Sequence, residues 1–99
     1  MTTADDTRSA LEALATLATE LRNDALEEYA RDLRATGPNA SDPLLAVAAG
    51  DILSIAGAWG NEYGLRPESS TRRDIERMHH AARVAAQLLD LYLAATEGV

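Results

Sequence analysis

TRRDIERMHHAARVAAQLLDLYLAAT, residues 71–96, contains neither glycine nor proline. Ile75, Met78, Ala82, Ala85, Leu89 and Tyr92 recur in it at alternating spacings of three and four. That spacing keeps side chains on one face of a 3.6-residue helix. Ala81, Val84, Leu88, Leu91 and Ala95 form a second apolar stripe beside the first, while Glu76, His80, Arg83, Gln87 and Asp90 form a polar one. Thr71 followed by Asp74 reads as a capping box. An apolar face this wide belongs to a long helix packed against more than one neighbour, which makes the protein a helical bundle.

Working back from Thr71, Gly64 to Ser70 is a connection, and a second helix is expected over about Pro43–Tyr63. Leu45, Ala48, Ala49, Ile52, Ile55, Ala56 and Trp59 share its apolar face, with Asp51, Ser54, Asn61 and Glu62 opposite. Ala46, Gly50, Ser54 and Ala58 recur every four residues, a ridge of small side chains that lets another helix approach closely. Gly37-Pro38-Asn39-Ala40-Ser41-Asp42-Pro43 is a tight turn. Gly37 suits a left-handed helix end, Pro38 stops the helix, and Asp42 caps the next with Pro43 at its first position.

The first helix is expected to begin at Asp6 or Thr7. Ala10, Leu11, Leu14, Leu17, Ala18 and Leu21 form its stripe, but the next apolar set is Leu26, Tyr29, Ala30 and Leu33. The five-residue step from Leu21 to Leu26 rotates the stripe by roughly 140°. Either the helix breaks at Asn23-Asp24, where Asp24 and Glu27 have capping-box spacing, or it stays straight and is buried on two sides. The break is the preferred reading.

Composition agrees with this pattern. The chain has 20 Ala and 14 Leu against three Val and three Ile, which favours helix over strand. The expected fold is all-α: one domain over residues 1–99, a small bundle of three long helices, the first split or kinked. Alanine buries little area, so the core is thin and a homodimer is expected. Its interface is placed on the last helix, with Ala82, Ala85, Leu89 and Tyr92 near the two-fold axis.

The same composition excludes several functions. There is no Cys and no Lys, which removes disulfides, thiolate zinc sites, lysine nucleophiles and the lysine-type phosphate loop. Sixteen acids against nine arginines leave a net charge of −7, unlike a nucleic-acid binder or a protein of anionic membranes. No basic leader and no membrane-length apolar run is present, so a cytoplasmic location is expected. Arginine as the only cation, with abundant alanine, is the usage of GC-rich bacterial or phage genomes.

Candidate chemistry is confined to His79 and His80, the only imidazoles. In the simplest reading, His80 is solvated on the polar stripe within reach of Glu76. In a second, Glu76 and His79 form a Glu-x-x-His pair that joins Glu28 in a carboxylate/His metal site across a helical dimer. In a third, Arg73-Asp74-x4-His79 resembles the Arg-polar-x4-His signature of HEPN domains. That resemblance covers seven residues, and Ala81 and Ala82 stand where one branch carries a tyrosine. It implies a metal-independent ribonuclease with His79 or His80 as acid/base and Arg72 or Arg73 clamping phosphate.

No triad or phosphate loop is present, which favours a non-enzymatic role. The reading is a small acidic protein-interaction module (an adaptor, inhibitor or immunity-type protein) that binds another protein. It needs no cofactor, nucleic acid or membrane. Its candidate contacts are Trp59 and Tyr63, one turn apart, and the acidic run Glu20, Asp24, Glu27, Glu28 and Asp32.

Overall fold

The computed structural model describes residues 4–37, 39–62 and 72–97, with backbone alone at residues 4 and 59–62. It contains four helices: α1 (Ala4–Leu21), α2 (Asp24–Ala35), α3 (Leu44–Glu62) and α4 (Arg72–Thr96). No strand occurs among the described residues. The expected first helix is thus two helices, and the bundle has four members rather than three.

The break lies at the phase slip, and its chemistry is local. Asn23 N–H donates to the Ala18 carbonyl at 3.2 Å and Arg22 N–H to Thr19 at 3.1 Å. These are the two bonds of a Schellman ending, with Arg22 in the left-handed region at φ 52°. Asn23 then caps α2: its side chain accepts from Leu26 N–H at 2.9 Å. The cap is therefore Asn23 and not Asp24, which is the first residue of the helix. Stopping and restarting lets Leu17 and Ala18 before the break and Leu26 after it all enter one core. At its other end α1 begins at Ala4, before the expected Asp6 or Thr7, and Thr7 is a buried residue inside the helix.

The turn at residues 37–43 follows expectation where it is described. Gly37 has φ 84°, and Asp42 Oδ1 accepts from Leu44 N–H at 2.9 Å. Asn39 Oδ1 accepts from Ser41 N–H and Ser41 Oγ, which tightens the bend. Pro38, Tyr63, the 64–70 connection and the Thr71 cap lie outside the described residues.

Each helix lies against its two neighbours in a ring, α1–α2, α2–α3, α3–α4 and α4–α1, and among the described residues the backbones of the diagonal pairs do not come within 8 Å. Glu12 of α1 meets Arg34 of α2 at 3.4 Å, so these helices run antiparallel. Leu17 and Glu20 of α1 share a groove with Arg73 and Arg77 of α4, while Asp6 and Ser9 share one with Gln87 and Leu91. Hence α4 is also antiparallel to α1, and the bundle is up-down-up-down.

The core is built from the expected stripes: Leu11, Leu14 and Leu17 of α1, Leu26 and Leu33 of α2, Leu45 and Ile52 of α3, and Leu88 of α4. Alanines 10, 18, 30, 48, 49, 81 and 85 fill the gaps between them. On α4 the buried set is Ala81, Val84, Ala85 and Leu88, so the second stripe supplies most of the core. Ala85 is fully buried in its own bundle. That removes it from the expected dimer seam, whereas Ala82, Leu89 and Tyr92 remain partly exposed.

Candidate functional site

The histidines stand on the outer surface of α4, and both are exposed. Arg73 and His79 are six positions apart, which places them on different flanks of the helix. The pairs seven apart, Arg72 with His79 and Arg73 with His80, share flanks instead. Arg73 and His80 line one shallow groove against α1, whose other walls include Glu20 and Glu76. Two carboxylates there oppose a phosphate. Glu76 also does not serve His80: its Oε1 accepts from Arg72 Nε at 2.8 Å.

Glu28 is exposed on α2, the helix diagonal to α4 in the ring. A single chain therefore keeps it apart from Glu76 and His79. Among the described residues, no three His, Asp or Glu side chains cluster as metal ligands.

The acidic run is a surface feature. Glu20, Asp24, Glu28 and Asp32 are exposed and Glu27 is half-buried. Asp51 extends this face from α3. Its negative charge is the main reason the Tyr29 phenol is held above its ordinary 10.0. Burial and the charge of Glu28 push the same way. Asp51 was not among the expected site residues, because its own helix places it opposite the apolar face. The signal lay in the turn: residues 29 and 51 are each about eleven positions from Ala40, so an antiparallel α2–α3 pair brings them level.

Trp59 and Tyr63 cannot be placed as a contact surface, since the Trp59 side chain and all of Tyr63 fall outside the described residues. Among the described residues the exposed large aliphatics are Val47 (47%) and Leu53 (46%) on α3, and Ile75 (55%) and Leu93 (63%) on α4. Of the small-residue ridge of α3, Gly50 and Ser54 are exposed and Ala46 and Ala58 are half-buried. A Cβ added at Gly50 would meet no atom within 4 Å, so no neighbour among the described residues approaches closely there.

Helical phase shows how these residues group. On α3, Asp51 marks the flank toward α2, so Leu53 lies on the flank toward α4. On α4, Arg77 and His80 mark the flank toward α1, so Ile75, Ala82 and Leu93 lie on the flank toward α3. The outer surface of the α3–α4 pair therefore carries an apolar strip, on the opposite side of the ring from the acidic α1–α2 pair. No family model, curated protein or solved structure matches the chain. Among the described residues, no helix is long and apolar enough to cross a membrane.

Proposed function

We propose that this chain is a non-enzymatic protein-interaction module. The observation that carries this reading is the acidic surface of Glu20, Asp24, Glu28 and Asp32, exposed on α1 and α2. Charge of one sign presented on one surface steers a basic partner and sets specificity more than affinity. In this reading the protein acts as an adaptor, inhibitor or immunity-type protein, needs no cofactor and works in the cytoplasm as a homodimer.

The test is affinity capture from the native host with three baits: wild type, Asp24→Arg/Glu28→Arg and the double variant His79→Gln/His80→Gln. The expected result is a stoichiometric partner retained by wild type and by the histidine variant and lost with Asp24→Arg/Glu28→Arg. Loss of the native activity in the histidine variant, with its helical circular dichroism intact, would overturn the non-enzymatic reading.

A further inference from the structure

We infer that the outer flank of α4 is a self-complementary surface on which a second copy of this chain packs antiparallel, about a two-fold axis near residue 84. The inference rests on the homodimer reading above and names the surface, the register and the partner.

The helix rotates about 100° per residue, so Arg72, Ile75, His79, Ala82, Ala86, Asp90, Leu93 and Glu97 fall on one flank within an arc of about 80°. Seven of the eight are exposed, and Ala82 is half-buried. Reversing a second α4 against the first about residue 84 sets Ile75 opposite Leu93, the two most exposed large apolar side chains among the described residues. The same reversal sets Ala82 opposite Ala86 at the centre, where small side chains allow close approach. It also sets His79 opposite Asp90, and Arg72 opposite Glu97. Each pair is centred on residue 84 to within about half a position.

The charges argue for this register. The basic members of the flank, Arg72 and His79, lie in the N-terminal half of α4, and the acidic members, Asp90 and Glu97, lie in the C-terminal half. A parallel pairing would set like against like. The antiparallel pairing sets Arg72 against Glu97 on each side of the axis and offers the Asp90 carboxylate an imidazole N–H of His79, and it opposes the two helix dipoles. Arg72 already gives its Nε to Glu76, but its guanidinium has two further nitrogens to offer a carboxylate.

Size is consistent with a dimer. At 1.5 Å per residue the 25-residue α4 is about 37 Å long. With α3 beside it, the strip is two helices or about 20 Å wide. That is roughly 740 Å² per protomer, close to the ~800 Å² of a standard interface. Packing here keeps the acidic residues of α2, the helix diagonal to α4 in the ring, away from the second copy, while Asp6 of α1 borders the same groove as His79, Ala86 and Asp90.

Sedimentation velocity on the full chain tests the proposal, with circular dichroism as the control for folding. Wild type is expected at twice the 10.6 kDa chain mass at about 50 μM. Ala86 is exposed in the single chain, so Ala86→Arg should leave the helical signal intact while weakening the dimer at least 100-fold, because two arginines then meet near the axis. His79→Glu and Asp90→Arg should each weaken it several-fold, and His79→Glu/Asp90→Arg together should return it to within about twofold of wild type. A wild-type monomer at 200 μM would overturn the homodimer itself and leave the strip to a different protein. A dimer that survives Ala86→Arg, or that the double charge exchange does not restore, would overturn this surface and register while leaving the homodimer standing.

Discussion

Replacing Arg22 by glycine should stabilise the protein. Arg22 ends α1 at φ 52°, a conformation in which a side chain bearing Cβ crowds the following carbonyl at a cost of roughly 1–2 kcal/mol. Glycine removes that strain but makes the unfolded chain more flexible, which returns roughly 0.4–1 kcal/mol. The difference favours Arg22→Gly by about 0.5–1 kcal/mol. For a domain of this size that raises Tm by roughly 2–8 °C. Arg22 is exposed, and the two Schellman bonds are main-chain bonds that survive the change. Gly37 provides the mirror experiment. It ends α2 at φ 84°, and a Cβ there would meet no atom within 4 Å. Gly37→Ala should therefore cost about 0.5–1 kcal/mol through the backbone alone. Urea unfolding followed at 222 nm measures both. An unchanged or lower midpoint for Arg22→Gly, at unchanged m, would refute the reasoning, because strain at this joint would then not limit stability.

Asn23→Ala should cost about 1 kcal/mol in the same assay, since it removes the acceptor of Leu26 N–H, whereas Asn23→Asp should be close to neutral. Leu26→Ala should cost roughly 2–5 kcal/mol because Leu26 is fully buried at the meeting of α1 and α2; a loss below about 1 kcal/mol would place it outside the cooperative core. Asp51→Asn should bring the Tyr29 phenol back toward 10.0, read as tyrosinate absorbance at 295 nm. In wild type the fold holds that proton more tightly than the unfolded chain does. The resulting stability is complete below pH ~10 and is lost as pH rises through the raised pKa, so the alkaline loss of stability should be smaller in Asp51→Asn, where the tyrosinate no longer faces a carboxylate.

Helix content and the four apolar stripes were legible because alanine and leucine dominate and their spacing is regular. The break was legible too, because the five-residue step from Leu21 to Leu26 cannot keep one face of a straight helix against one core. The cap was misplaced by one residue because Asn23 and Asp24 are both capping types, and only the hydrogen bond to Leu26 N–H distinguishes them. The left-handed Arg22 leaves no trace in sequence, since arginine has no preference for that conformation. On α4, two adjacent stripes competed for the core. The positions of α1 and α3 decided between them and drew Ala85 inside. The Tyr29–Asp51 contact likewise depends on register between helices, which spacing within either helix does not contain.

Only Arg22 and Asn23 separate α1 from α2. A joint this short invites exchange of segments between molecules: if both residues turned helical, α1 would swing out on a rod spanning residues 4–35 and pack into a second chain. The phase of the stripe permits that outcome: Leu17 and Leu26, nine positions apart, would face opposite sides of the rod, so α1 could fill the second core while α2 stays in its own. What holds α1 on its own bundle is the joint itself, the left-handed Arg22 and the Asn23 cap. Replacing both by alanine, which favours helix through the joint, should raise the share of exchanged dimer.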